Sequence, residues 1–183
     1  MASALTIKAM AASAVVAACL AAAPVWAAGE SSNPVPTCKK GEVYDQKAKK
    51  CVKKTSEALT DEDRTATAYA LAKAERYTEA LDILDTLKQP RTAEALNYRG
   101  YATRKLGRTE EGIGYYKQSV SLAPRYAKVR EYLGEAYVIQ GKMDQAREQL
   151  RVIETICGKG CEEYRDLAEA VEGKGGEGKG GEG

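Results

Sequence analysis

The sequence predicts an all-α solenoid: about three helix-turn-helix units stacked side by side, closed by a capping helix and preceded by a small N-terminal disulfide hairpin. Three observations predict it. Self-similarity recurs at a spacing of 34 residues, where Gly100, Ala102, Gly107, Gly112 and Tyr116 return as Gly134, Ala136, Gly141, Ala146 and Leu150. A period in this range marks stacked supersecondary units. From Thr60 onward the apolar residues follow a helical period in an alanine-rich chain, and alanine is the best helix former. Four cysteines fall in two local groups at the ends of the repetitive region, Cys38 with Cys51 and Cys157 with Cys161.

Composition agrees with one domain plus tails: of 183 residues, 44% are hydrophobic and 30% charged, as in ordinary globular proteins. There is no phenylalanine, so eleven tyrosines and many alanines must supply the large and small packing partners. A net charge of +2 creates no global field toward nucleic acid, and no basic stripe is present, so nucleic acid is not an expected partner.

Residues 1–27 read as a secretory signal peptide. Lys8 supplies the cationic start, an apolar run through Val15, Val16 and Leu20 follows, and Val25-Trp26-Ala27 suits a signal-peptidase site. The implied location is the periplasm. Val16-Ala17-Ala18-Cys19 also resembles a lipoprotein box, so a lipidated Cys19 is a second reading. An uncleaved anchor is a third, opposed by Pro24 and by the shortness of the run. Cleavage after Ala27 leaves four cysteines, and two disulfides are the expectation in an oxidising compartment. Of the three connectivities, the local pairing Cys38–Cys51 and Cys157–Cys161 is preferred because each pair lies within one short segment.

Residues 28–37, rich in Gly, Ser, Asn and Pro, form a flexible spacer. Residues 38–54 read as a hairpin, with β-prone Val43-Tyr44 and Cys51-Val52 on either side of a polar turn. An isolated hairpin is marginal in water, and a disulfide closing a loop of this size contributes about 3 kcal/mol in the chain-entropy picture. Lys39, Lys40, Lys47, Lys49, Lys50, Lys53 and Lys54 stand against only Glu42 and Asp45. They serve either as a solvated, solubilising face or as a weak contact for an anionic envelope surface, which salt would loosen.

The repeat domain spans 60–172, with units at about 61–92, 93–126 and 127–158 and a cap helix at 161–172. Gly100, Gly134, Ala80 and Ala146 have almost no side chain and let backbones approach, with Leu84, Tyr116 and Leu150 filling the adjoining space. Gly107 and Gly141 end the first helix of their pairs in a left-handed conformation. Thr60, Thr92 and Thr109 stand where N-cap oxygens are wanted, and Pro124 separates one unit from the next. Arg99 sits where the next unit has Leu133, and Gly112 with Gly114 leaves that helix either loose or closely approached. Tyr164, Leu167, Ala168 and Val171 form the apolar stripe of the cap. The Glu/Gly/Lys repeat of 173–183 is a disordered tail.

These small, turn and closing-proline landmarks, Ala93-Glu94-Ala95 through Pro124 and then Leu133-Gly134, Ala136-Tyr137, Gly141 and Ala146, resemble the tetratricopeptide repeat (TPR) family, in the style of its exported bacterial members. The resemblance implies a scaffold that binds an unidentified protein or peptide in a concave groove lined by the first helices. On this sequence that face carries Thr65, Tyr69, Lys73, Asn97, Tyr98, Tyr101, Arg104, Lys105, Glu131, Tyr132 and Glu135. The Lys/Asn cluster that the family uses for chaperone C-terminal carboxylates is not matched.

No catalytic residue, metal or cofactor is expected. Histidine is absent, and with it every Ser-His, Cys-His or His-metal arrangement; no phosphate-cradling loop or haem motif occurs. Cys157-Gly158-Lys159-Gly160-Cys161 reads first as a staple to the cap, then as a thiol-disulfide enzyme site, and last as half of a four-cysteine zinc site.

Overall fold

A computed structural model describes residues 35–173. The segment read as a signal peptide, most of the expected spacer and the expected tail beyond Gly173 lie outside the described residues. The order of elements is β1 (Glu42–Asp45), β2 (Lys50–Lys53), α1 (Asp61–Lys73), α2 (Tyr77–Leu84), α3 (Ala93–Lys105), α4 (Thr109–Leu122), α5 (Ala127–Ile139), α6 (Met143–Cys157) and α7 (Glu162–Val171). The helices pair as α1/α2, α3/α4 and α5/α6, and α7 covers the last pair. No helix of the described residues is long and apolar enough to cross a membrane.

Local chemistry sets the boundaries. Thr60 caps α1 in a reciprocal capping box with Asp63, and Thr92 caps α3 by accepting from the Ala95 N–H. Thr109 does not cap: it is the first residue of α4, and the cap position belongs to Arg108, whose side chain makes no cap bond. The same geometry recurs at Arg76 and Lys142, because the turn between paired helices is too tight to leave a cap side chain over the helix end. Gly107 and Gly141 take φ of 83° and 69°, as expected of helix-ending glycines; the first unit places Glu75 there, at φ 61°.

Two core clusters meet at the middle repeat. One joins Val43, Leu59 and the apolar faces of α1 and α2 to Ala95, Tyr98 and Ala102. The other joins Ile113 and Tyr116 of α4 to Val129, Leu133, Ala136 and Tyr137 of α5. The small residues act as anticipated. A Cβ on Gly100 would lie 2.6 Å from the fully buried Tyr116 ring, and one on Gly112 would lie 2.9 Å from the Gly100 carbonyl. Gly112 is therefore the closely approached one, while Gly114 faces open space. In the third unit Ile153 fills the core, and Leu150 stays half-buried.

The hairpin is an antiparallel pair with Val43 opposite Val52, closed by Cys38–Cys51. It is no free module. Val43 is buried in the α1/α2 core, the Tyr44 N–H donates to Thr67 Oγ1 (3.1 Å), the Gln46 N–H donates to Asp63 Oδ1 (3.1 Å), and Arg76 donates to the Cys38 carbonyl (2.9 Å). At the other end Cys157–Cys161 bridges the last residue of α6 to the N-cap of α7.

Candidate functional site: the tyrosine-lined concave face

The first helices of the three pairs, α1, α3 and α5, are each 13 residues long and lie side by side, so equivalent positions line up across them. Tyrosines connect them. Tyr69 stacks on Tyr98 with centroids 4.7 Å apart, Tyr101 leans on Tyr132 at 4.9 Å, and Tyr77 meets Tyr101 edge-on at 6.3 Å. Tyr98 and Tyr101, both on α3, thus hold α1 on one side and α5 on the other. Offset and tilted ring pairs of this kind add to the burial of their area.

Cations sit over these rings. The Arg104 guanidinium lies 5.7 Å from the Tyr101 centroid and 6.0 Å from that of Tyr132, Lys105 lies 5.7 Å from Tyr101, and Lys128 lies 6.0 Å from Tyr132. Arg104 is also bound from two sides, by the Glu135 carboxylate at 2.7 Å and the Tyr116 hydroxyl at 3.3 Å. Lys128 pairs with Glu131 (3.2 Å) and reaches Glu162 (3.5 Å) and Glu163 (3.7 Å) on the cap helix.

The eleven positions expected on this face therefore separate by depth. Thr65, Asn97, Tyr98, Arg104, Glu131 and Tyr132 are buried and form the floor; Tyr69, Tyr101 and Glu135 are half-buried; Lys73 and Lys105 are exposed. Stacking explains the sinking of Tyr98 and Tyr132, since each ring is covered by a ring of the neighbouring helix. Arg104 acts as a strut under the face, with its charge already answered by Glu135. The Asn97 amide donates to the Tyr126 hydroxyl (3.2 Å).

Electrostatics follow from that depth. Burial pushes the Tyr101 phenol up to about 12 and raises Tyr116 and Tyr132 further, so these hydroxyls stay neutral donors at any physiological pH. Burial also pushes Glu131 up to about 8. Its partner Lys128 opposes the shift but is shared with Glu162 and Glu163, which leaves the desolvation of Glu131 incompletely offset.

Two contributors escaped the sequence reading. Tyr77, at the start of α2, reaches over to Tyr101, a contact between helices that no periodicity reveals. Lys128 was legible in principle, because it stands three residues before Glu131 on one helix face. The cysteine ends hold no free thiol: Cys157, Cys161 and Glu163 bring potential ligand atoms within 4.8 Å of one another, but both sulfurs are consumed by their disulfide. The hairpin lysines 39, 40, 47, 49, 50 and 53 are exposed.

No protein-family model matches the sequence, and no curated protein does. The fold is nevertheless that of tetratricopeptide repeat proteins, as three solved structures make plain. MamA superposes with a TM-score of 0.54 at 21% identity, over 65% of this chain and 71% of that one. The second TPR domain of human RPAP3, solved in complex with an HSP70 peptide, gives 0.52 at 18% identity, over 62% of this chain and 92% of that one. The Yersinia enterocolitica type III secretion chaperone SycD, solved with a peptide of the translocator YopD, gives 0.52 at 14% identity, over 66% of this chain and 94% of that one.

Proposed function

We propose that this chain is an exported, periplasmic protein-interaction scaffold that receives a peptide or protein segment on its concave face. The observation that carries the reading is the aromatic row Tyr69, Tyr98, Tyr101 and Tyr132, braced ring on ring across three helices and overlaid by cations. The buried Tyr98 and Tyr132 hold the half-buried Tyr69 and Tyr101 in place, so the ordering cost of these contact groups is already met before a partner arrives. Two TPR-fold structures solved with peptides are consistent with it. The half-buried Tyr101 and exposed Lys73 and Lys105 are the groups in reach of a ligand, with the buried tyrosines and Arg104 beneath them as support. The predicted signal peptide and the two disulfides support export, since such bonds persist in oxidising compartments. Sequencing the mature N-terminus tests that part: a start at Ala28 or Gly29 is expected, a start at a lipidated Cys19 contradicts the cleavage site, and an intact Met1 start contradicts export.

The binding test is to trap the partner by crosslinking, purify it, and measure its affinity for the parent, Tyr101→Ala and Lys105→Glu. Each substitution is expected to weaken binding, with loss of an aromatic anchor typically costing about 2 kcal/mol, while circular dichroism reports intact helices. The exposed hairpin lysines favour a second reading, contact with peptidoglycan or anionic lipid. Unchanged affinity for both groove variants, together with loss of envelope association in Lys49→Glu/Lys50→Glu, would replace the groove by the hairpin.

A further inference from the structure

We propose that a hollow on the outer side of the middle repeat is a second binding site, and that it takes a small para-substituted phenol. Arg99, Thr103 and Leu106 are spaced four and three residues apart on α3 and so share one stripe, on the far side of the helix from Tyr98, Tyr101 and Lys105. That stripe floors a hollow of about 460 Å³, walled by Leu81 of α2 and by Glu111 and Tyr115 of α4. The tyrosine row on the other side of α3 contributes nothing to it, so this site stands apart from the concave-face reading.

The repeat itself shows what the hollow lacks. One period later Arg99 and Thr103 become Leu133 and Tyr137, and both of these are buried in the core formed with α4. The phenol of Tyr137 lies in the field of Glu110 and Lys142. Lys142 is the repeat equivalent of Arg108, which lines the hollow. Tyr137 therefore fills in the third unit the place that stands open in the second. Leu81 shows the consequence, because it holds in α2 the position that Ile113 holds in α4, yet Ile113 is buried and Leu81 only half-buried. Threonine in place of tyrosine removes one ring and its hydroxyl. What is missing is p-cresol, the tyrosine side chain as a free molecule.

The walls suit such a ring. The Arg99 guanidinium is held by Asp85 at 2.8 Å and lies 5.9 Å from the Tyr115 centroid, so a second ring entering beside Tyr115 meets a fixed cation and an aromatic neighbour. Near the start of α4, Arg108 and Glu111 pair at 3.2 Å and remain exposed, offering a hydroxyl both a donor and an acceptor. Apolar lining is confined to Leu81, Leu106 and the Tyr115 ring, which covers one ring but no extended segment. The volume falls in the range of about 300–1,000 Å³ usual for small-molecule pockets. The ion pair with Asp85 accounts for Arg99 alone and gives no reason for the missing ring at Thr103.

NMR titration of the isotope-labelled protein with p-cresol, 4-methylanisole and N-acetyl-tyrosinamide tests the site. p-Cresol is expected to give saturable shifts at the amides of Thr103, Leu106 and Tyr115, and to bind about fivefold or more tightly than 4-methylanisole, which cannot donate a hydrogen bond. Thr103→Tyr should fold with an undiminished melting temperature and abolish those shifts, because its own ring occupies the hollow. Equal affinity for p-cresol and 4-methylanisole overturns the phenol class. Tighter binding of N-acetyl-tyrosinamide than of p-cresol overturns the small-molecule reading and makes the hollow a seat for a tyrosine carried on a polypeptide. Shifts confined to the concave face around Tyr101, or no saturable shift with any probe, overturn the site. If Thr103→Tyr does not fold, the ranking of the three probes on the parent still decides.

Discussion

The two ends of the solenoid are closed by different means. At the N-terminal end a hairpin lies on α1, and because its strand N–H groups have no helix of their own to satisfy them, side chains must do it: Thr67 takes the Tyr44 N–H, Asp63 takes that of Gln46, and Arg76 holds the Cys38 carbonyl. At the C-terminal end α7 satisfies its own backbone and needs only an apolar seat. Leu167 enters the hollow at Gly134, and Lys128 draws in Glu162 and Glu163. The strand cap thus depends on several directional bonds, the buried Val43 and a disulfide, whereas the helix cap depends chiefly on the buried Leu167, with Lys128 and a shorter disulfide at its N-terminal end. The two ends should fail in different ways.

The largest single effect should come at the helix cap. Leu167→Ala empties a fully buried site and is expected to cost about 3–4 kcal/mol, with hydrogen exchange rising in α7 and α6 well before α1. Uniform exchange across the chain would mean that the ends are one cooperative unit. At the strand cap, Cys38→Ser/Cys51→Ser should cost about 3 kcal/mol, and Cys157→Ser/Cys161→Ser about 2 kcal/mol because its ring is smaller. Denaturant titrations of the two double variants rank them, and a larger loss for the shorter ring contradicts the difference drawn between the ends.

A pH slope sharpens the contrast, because among the described residues the carboxyl with a strongly raised pKa, Glu131, lies in the last repeat beside the C-terminal cap. Glu131 is ordinarily half-protonated near 4.5 and is pushed up to about 8 by burial. The folded state therefore holds a proton that the unfolded chain releases, and this group's contribution to stability falls as pH rises from about 4.5 through 8. Glu131→Gln should flatten that decline in thermal melts taken between pH 5 and 9; a decline of the same steepness in the variant assigns it elsewhere. The smallest effect belongs to the strand cap: Thr67→Val strands the Tyr44 N–H and should cost about 1 kcal/mol, with faster exchange confined to the hairpin.

Much of this architecture is legible in single residues. Gly107 and Gly141 mark turns that need φ above zero, and Gly100 and Gly112 mark a close approach of two helices, because in each case only glycine fits the geometry. The first unit is less legible for the same reason: Glu75 occupies its left-handed turn position without announcing it. Thr109 misleads because cap preference is local, whereas the tight turn between paired helices is not. Depth is the main thing hidden. The 34-residue period shows that Tyr98 and Tyr132 share a position, but whether a ring lies on a surface or beneath a neighbouring ring depends on Tyr69 and Tyr101, which arrive from other helices. Arg104 likewise reads as a ligand for a partner until Glu135 is found beside it.

The central claim is that the partner lies on the concave face, and in-cell photocrosslinking tests it most directly. A benzophenone side chain is placed in turn at Lys105 on the concave rim, Tyr115 on α4 and Lys50 on the hairpin, three positions whose side chains are not buried. A discrete adduct with one protein at Lys105, absent at Tyr115 and Lys50 and lost when Tyr101→Ala is added, is the predicted result. Adducts at Lys50 with none at Lys105 would contradict it and assign the binding to the hairpin.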